Sequence, residues 1–196
     1  MQKVIIIRPL LKGKTIDPRI NGTDRPGTYR WWFHESCLKD LGLYNNGSYV
    51  LKSETIDEET YYALYFGIAV KETIRSRFNW HISQSHSYSN IKSGTISTLR
   101  HTLSALLLKK NPCKTIPNSE RVVNDFIDAN CIVEWTPYPT GTESQIHIDE
   151  LQELSQSYWY PLNIQDNKKK DSVKLDYYKN LKRLRSVLKK ELVGSI

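Results

Sequence analysis

The segment spanning residues 64–81 constrains the fold more than any other part of the chain. It begins with the apolar run LYFGIAV, which is typical of a buried strand, and continues after Lys71 with helical spacing. In such a helix Arg77 and His81 are four residues apart and therefore lie on one face. A strand that carries the Tyr65 phenol thus leads into a helix that presents a guanidinium and an imidazole. This group of side chains suits a phosphodiester better than a protein core.

A second tyrosine segment precedes this one in the chain. Gly27-Thr28-Tyr29 opens an aromatic run, and Tyr65-Phe66-Gly67 lies inside the apolar strand. Arg77 follows Gly67 by ten residues, and His81 follows after four more. This ordered set resembles the pattern of the GIY-YIG nucleases. Each short motif alone is weak evidence for that family, and the order of the motifs is what makes the resemblance specific.

The resemblance implies a fold and an activity. It covers roughly residues 27–165 and implies an α/β (α+β) domain with a small, central, mostly antiparallel three-stranded sheet flanked by helices. The implied activity is hydrolysis of DNA phosphodiesters, with double-stranded DNA favoured, by an endonuclease that uses Mg²⁺ or Mn²⁺. The two tyrosines lie 36 positions apart, a separation that looks more like the restriction-endonuclease branches of the family than the excision-repair branch.

Hydrolysis of a phosphodiester needs an oriented water, a group that takes its proton and a cation that stabilises the developing charge. The resemblance implies that Tyr29 acts as the base and that Tyr65 assists it. The phenol pKa of about 10 would have to fall for this role, through positive charge from Arg77, Lys71 or the metal. His81 either takes the proton from the water or orients Tyr29.

Arg77 is the candidate for binding the phosphate, because a guanidinium is always charged and can hold two phosphate oxygens. Arg75 lies on the same helix and is the alternative, but the spacing favours Arg77. Many members of the family carry a lysine just after Tyr-x-Gly, where this chain has Ile68 and Ala69. Lys71 is the available substitute for that lysine.

The metal ligand is predicted to be a single glutamate, since Mg²⁺ needs a carboxylate and keeps several of its waters. Glu150 lies thirteen residues before Asn163, close to the separation in the family, and Glu143 and Glu153 remain alternatives. Asn163 resembles the asparagine that braces the site in the family. Gly27 and Gly67 complete the supporting residues of the two tyrosine motifs.

The composition favours a basic protein with a polyanionic partner. The chain has a formal charge of +7 and a pI near 9.2, and it lacks any Cys-x-x-Cys spacing and any stretch that could span a bilayer. We therefore expect a soluble, cytoplasmic protein that makes no membrane contact.

Two regions are predicted, a nuclease domain at 1–167 and a basic amphipathic helix at 168–196. The predicted nucleic-acid contacts are Lys71, Arg75, Lys182, Arg183 and Arg185.

The hydrophobic periodicity predicts the remaining elements. A leucine stripe on the tail helix either docks on the core or pairs two subunits, and a homodimer would bring two active sites to the two DNA strands. Two other functions stay open: a nucleic-acid-binding module of this fold whose nuclease site has decayed, and a protein-interaction domain that uses the tail. The predicted strands are 4–7, 29–33, 62–68 and 131–135, with 48–51 as a further candidate. The predicted helices are 71–83, one capped by Ser97, one from 119 or 120 to 129, 146–158 and 173–193, with loops at 9–26 and 83–90.

Overall fold

In the part of the chain that the structure describes, five strands form one antiparallel sheet. The computed structural model describes residues 4–7, 22–43, 50–82, 87–111, 113–155, 158–164 and 172–194. The predicted turn at 45–47, most of the predicted loop at 9–26 and the basic run at 168–170 lie outside these residues. The strands are β1 (Val4–Ile7), β2 (Gly27–His34), β3 (Lys52–Ile56), β4 (Glu59–Ala69) and β5 (Cys131–Pro137). Their order across the sheet is β1-β5-β2-β4-β3.

Strand β2 is at the centre of the sheet, hydrogen-bonded to β4 on one side and to β5 on the other. Its aromatic residues alternate between the two faces, so Trp31 and Phe33 join one core cluster and Trp32 joins the other. All three side chains are buried. A strand that is buried on both faces reads as a continuous apolar run, which is why this strand and β4 are visible in the sequence.

The prediction of a three-stranded sheet is wrong in its count. β1 extends the sheet beyond β5, and β3 pairs with β4 on the opposite edge. β3 escapes sequence analysis because it is a polar edge strand, KSETI, with no fully buried position. The turn that follows it is also unmarked, since Asp57 and Glu58 adopt positive φ without a glycine or an asparagine. The candidate strand at 48–51 is reduced, among the described residues, to a single bridge between Val50 and Tyr158.

Six helices accompany the sheet among the described residues, and their ends follow local capping. The predicted start of the first helix at 71 is three residues early, because Thr73 accepts a hydrogen bond from Ser76 N at 3.1 Å and closes the first turn. Thr115 caps the fourth helix in the same way, which moves its start ahead of the predicted 119 or 120. Part of the predicted loop at 83–90 is helical. The helices are α1 (Ile74–Ile82), α2 (Tyr88–Ser93), α3 (Thr98–Leu107), α4 (Ile116–Asn130), α5 (Glu143–Ser155) and α6 (Ser172–Gly194), and a 3-10 turn covers Glu35–Cys37.

The helices cover both faces of the sheet. α5 packs on the face that carries Trp32, and α1 and α4 pack on the face that carries Trp31. α3 lies against α4, and α6 lies against α3 and α2. Among the described residues, the face that carries Trp32 is therefore covered by one layer of helix, and the face that carries Trp31 is covered by several.

Helix α6 uses its leucine stripe to dock on the rest of the domain. Leu181, Leu188 and Leu192 are buried, and the last two pack with residues of α2 and α3. Leu175, which the periodicity places on the same stripe, is instead 38% exposed. None of the described helices is both long and apolar enough to cross a lipid bilayer.

A buried ion pair joins α3 to α4. Arg100 donates to the Glu120 carboxylate at 2.7 Å and to Asn124 Oδ1 at 2.8 Å, and its side chain is fully buried. It also donates to the backbone carbonyl of His81 at 3.2 Å, so one guanidinium holds three helices together. A buried charge of this kind is costly to leave without its partner.

We expect Glu120→Ala to lower the free energy of unfolding by about 3–5 kcal/mol, because it leaves the Arg100 charge buried without its counterion. Urea unfolding followed by circular dichroism measures the change. The matched control is Arg121→Ala, next in the chain, whose ion pair with Asp125 is largely exposed and should contribute less than about 1 kcal/mol. Equal, small effects of the two substitutions would contradict the role given to this pair.

Candidate active site

A cavity of about 190 Å³ opens beside the Tyr65-Phe66-Gly67 segment of β4. Its lining combines residues from β2, β4, α1, α3, α5 and the segment 158–164. Five side chains that the sequence predicts for the site are among them. The lining residues are Tyr29, Tyr65, Phe66, Gly67, Ile68, Arg77, Thr98, Glu150, Asn163 and Ile164.

The position of Tyr29 depends on the glycine opposite it. β2 and β4 pair so that Tyr29 faces Gly67, and a Cβ atom at Gly67 would lie 2.4 Å from Tyr29 Cζ. The phenol ring therefore lies directly over the glycine. Gly27 is required for a similar reason, since its Cβ would lie 2.2 Å from the carbonyl oxygen of Thr136 on β5. Both motif glycines are thus explained by close packing.

A chain of hydrogen bonds continues from Tyr29 into the interior. The Tyr29 hydroxyl lies 2.8 Å from His81 Nε2, and His81 Nδ1 lies 2.8 Å from Ser97 Oγ. Ser97 also caps α3, because its Oγ accepts the backbone N–H of Arg100 at 3.2 Å. His81 is 2% exposed and does not line the cavity. The imidazole consequently stands behind Tyr29, where it contacts the phenol and not a bound substrate.

The Ser97 hydroxyl defines the tautomer of His81. Ser97 is fully buried, and within the described residues His81 Nδ1 is the acceptor available to its proton. We infer that Ser97 donates to Nδ1, because the opposite arrangement would leave a buried hydroxyl proton without an acceptor. The His81 proton is then on Nε2, which donates to the Tyr29 oxygen. Of the two roles expected for His81, this arrangement favours orientation of Tyr29.

Burial sets the protonation of both groups. Burial lowers the pKa of His81 to about 3, with Arg77 and Arg100 adding to the shift, so the imidazole is neutral near pH 7. Burial also raises the pKa of Tyr29 well above its usual value, as does neighbouring Tyr65, and the charge of Arg77 opposes this without offsetting it. Tyr29 is therefore a neutral phenol, and the nearby arginine alone does not supply the lowered pKa that a base would need.

Arg77 is the arginine that reaches the cavity. Its Nε contacts the Ile68 carbonyl at 3.4 Å and the Glu72 carboxylate at 3.1 Å, and its side chain is 38% exposed. Arg75 points elsewhere and donates to Thr23 Oγ1 at 3.4 Å. Lys71 is exposed and is not among the lining residues.

Glu150 is the carboxylate of the three candidates that lines the cavity. Its side chain is 21% exposed and lies 3.5 Å from His147 Nδ1. Glu143 is exposed in the first turn of α5, seven residues earlier, which places it about 10 Å away along the helix axis.

Glu153 is held in a different place, by a charged network under α5. It accepts hydrogen bonds from Arg30 at 2.7 Å and from Lys52 at 2.8 Å, and Tyr160 also donates to it. Burial alone would raise the pKa of Glu153, but Arg30 and Lys52 hold that pKa at about 2. Arg30 also donates to Glu134 at 2.9 Å. This carboxylate is therefore committed to packing α5 against the sheet.

Asn163 closes the open edge of β4 beside the cavity. Its side chain accepts from Phe66 N at 2.8 Å and donates to the Phe66 carbonyl at 2.6 Å. Leu162 N also donates to the Leu64 carbonyl at 2.9 Å. β3 pairs with β4 only as far as Ala63, so this segment supplies the backbone partners that the rest of the edge would otherwise lack.

The comparison with protein families adds a match that spans these elements. A model of the GIY-YIG catalytic domain matches residues 27–187, from the start of β2 into α6. The chain belongs to the GIY-YIG family. This GIY-YIG domain therefore has a nuclease-type fold, with a nucleic acid as the implied substrate and a divalent metal as the general requirement of such nucleases. No curated protein and no solved structure matched the chain.

Sequence analysis of the GIY-YIG domain missed three residues around the site. Ser97 was predicted only to cap a helix, and its bond to His81 uses the same oxygen atom. Thr98 lines the cavity, and Arg100 supports the His81 backbone. The cap pattern locates Ser97 in the sequence, but the partner of its hydroxyl depends on how α3 packs against α1.

We expect Gly67→Ala to displace the Tyr29 ring and to lower the free energy of unfolding by about 1–3 kcal/mol, the usual cost of overpacking. Gly194→Ala is the control, because a Cβ there meets no atom within 4 Å and should change stability by no more than about 0.5 kcal/mol. Urea unfolding measures both changes. Loss of stability in Gly194→Ala but not in Gly67→Ala would rule out the proposed packing.

The pKa of His81 predicts an acid-sensitive fold. The folded value of about 3 lies below the usual value of 6.5, so the unfolded chain binds more protons between these values and stability falls as the pH is lowered through this window. The His81 contribution should have a slope of up to about 1.4 kcal/mol per pH unit. His81→Gln should remove that slope, measured by urea unfolding from pH 7 to pH 4. An imidazole ¹⁵N signal that titrates above pH 6 would disprove the assignment.

Proposed function

We propose that this protein is a metal-dependent endonuclease that hydrolyses DNA phosphodiester bonds. The observation that carries the proposal is the convergence of Tyr29, Tyr65, Arg77 and Glu150 on one cavity, from four different elements. A phenol pair, a guanidinium and a carboxylate are the groups that would orient a water, neutralise phosphorane charge and hold a metal. Membership of the family supports the same reaction type.

The position of each side chain in the cavity indicates its role in the proposed reaction. Tyr29 is the buried phenol, and its hydroxyl is held by His81 so that it can orient the attacking water. Tyr65 is half-buried and stands beside it, with the two ring centroids 6.3 Å apart. Arg77 uses Nε for its protein contacts, and its two terminal nitrogens have no partner within the described residues, so they can face two phosphate oxygens.

The donor set of the cavity fits a hard divalent cation. Glu150 supplies a carboxylate oxygen and the tyrosines supply hydroxyl oxygens, and oxygen donors suit Mg²⁺ and Mn²⁺. One carboxylate is enough when the ion keeps its waters. No group of three or more His, Cys, Asp or Glu side chains that could hold a metal occurs in the described part of the chain. When bound, such an ion would stabilise the developing phosphorane charge and lower the pKa of a nearby water or phenol.

We place this activity in restriction or a related defence role, acting on double-stranded DNA. The support is the long stretch between the two tyrosine strands, where β3 extends the sheet. A homodimer would supply one site for each strand of the duplex. The leucine stripe of α6 is largely used within the subunit, so another surface would have to form that dimer.

The second candidate is a nucleic-acid-binding module of this fold without nuclease activity. The observation that favours it is at the position after Tyr-x-Gly, where Ile68 lines the cavity instead of a lysine and Lys71 remains exposed. Such a module would bind nucleic acid in a salt-sensitive way and would not nick it with any divalent ion. Because the leucine stripe of α6 is largely buried, a protein-interaction role for the tail has less support than the endonuclease or the nucleic-acid-binding module.

Cleavage of supercoiled plasmid with Mg²⁺ or Mn²⁺ tests the proposal. We expect Tyr29→Phe, Arg77→Ala and Glu150→Gln each to lower the cleavage rate by about 100-fold or more, since each removes a group that acts on the reacting centre. Glu143→Gln, a matched change on the exposed side of the same helix, should alter the rate less than about twofold.

The same experiment separates the two candidates. Cleavage that is unchanged in all three site variants would refute the assignment of the cavity. Tight binding of DNA by the unmodified protein without nicking under either ion would establish the binding module in place of the nuclease.

A further inference from the structure

A second cavity, of about 420 Å³, lies between α3 and α6. One wall is a face of α6 that presents residues at positions i, i+3, i+4 and i+7, which share one side of a helix. The other wall comes from α2, from α3 and from the segment that joins these two helices. The lining residues are Ile91, Gly94, Ile96, Thr98, His101, Lys182, Arg185, Ser186 and Lys189.

The polar groups of this cavity are built to receive an anion. Lys182, Arg185 and Lys189 contribute three cations, and none of the described lining residues is acidic. Arg185 is partly buried, burial lowers the pKa of its guanidinium, and its Nε donates to His101 Nδ1 at 3.3 Å. Lys189 Nζ donates to the Lys92 carbonyl at 3.2 Å. Two of the cations are therefore held in place before any ligand arrives.

The second cavity adjoins the catalytic one. Thr98, the first residue of α3, lines both. The backbone N–H groups of a helix N-terminus, which carry partial positive charge, also favour an anion at this junction. A ligand that extends out of the catalytic cavity over Thr98 would reach the cations of α6 next.

We propose that the cavity between α3 and α6 binds a second phosphate of the nucleic-acid strand whose scissile phosphate lies against Arg77. The proposal rests on the proposed nuclease function and adds to it the path of the substrate. The cavity volume lies within the range of small-ligand sites, about 300–1,000 Å³, which leaves room for a phosphate with its sugar. The phosphodiester backbone would thus be bound at two points, by Arg77 on one side of Thr98 and by the cations of α6 on the other.

The structure distinguishes Lys182, which lines the cavity, from the adjacent Arg183, which does not. The sequence alone gives no reason to treat these two residues differently. Arg183 was predicted with Lys182 and Arg185 as a nucleic-acid contact, but it is absent from the cavity lining. It is exposed and donates to Asn180 on its own helix at 3.0 Å. Adjacent residues of equal charge therefore give a matched pair, and both side chains are exposed enough to be replaced without unfolding the protein.

Binding of a fluorescein-labelled DNA duplex to the full chain, measured by anisotropy in EDTA from 50 to 300 mM KCl, tests this site without any cleavage. We expect Lys182→Glu to weaken binding about tenfold at 100 mM KCl and to reduce the slope of log K against log[KCl] by about 1. Arg183→Glu carries the same change of charge and should weaken binding less than about twofold. Lys182→Gln should give a smaller effect in the same direction as Lys182→Glu.

Each remaining outcome has a definite meaning. Equal losses in the two glutamate variants would show a diffuse basic surface and overturn the site. Inorganic phosphate or adenosine monophosphate that binds wild-type protein in a Lys182-dependent way, while duplex binding is unaffected by Lys182→Glu, would assign the cavity to a free small anion. A wild-type protein that neither binds nor cleaves nucleic acid would instead refute the proposed function itself.

Discussion

The close approach of the Tyr29 ring to Gly67 is the contact on which the arrangement of the site depends. The antiparallel register of β2 and β4 places these residues opposite each other, and only a residue without a Cβ leaves space for the phenol. The ring then points toward α1 and meets His81, which in turn meets Ser97 at the start of α3. One strand register thereby positions the sheet and two helices around a single hydroxyl group.

Two charged networks, one buried and one partly buried, hold the helices that complete the site. Arg100 pairs with Glu120 to join α3 to α4 and also donates to the carbonyl of His81, while the Arg30–Glu153 pair joins α5 to the other face of the sheet. Because a buried ion loses its hydration, such pairs add little net stability but strongly disfavour any packing that separates them. They favour one placement of α1 and one of α5, and so determine where Arg77 and Glu150 stand.

Helix α6 has two adjacent faces of different chemistry, one apolar and one basic. Its leucines, such as Leu188, are buried against α2 and α3, which holds the neighbouring basic face at a constant distance from the candidate active site. Cations on a free helix would attract a polyanion without orienting it. In the proposed complex, cations on a docked helix beside Thr98 would instead select a path for the strand.

The sequence by itself determined the parts of the site that follow local rules. Three short-range patterns carry this information: the apolar runs of β2 and β4, the two tyrosine motifs, and the one-turn spacing of Arg77 and His81. The family, and the central strands and helix in their order along the chain, could therefore be predicted from the sequence. Tertiary structure decided which of Glu143, Glu150 and Glu153 lines the cavity, that His81 lies behind Tyr29, and that β3 widens the sheet. These outcomes depend on packing between segments far apart in the chain. A carboxylate on α5 looks the same in the sequence whether it faces solvent, an arginine or a cavity, because only the docking of the helix assigns its surroundings.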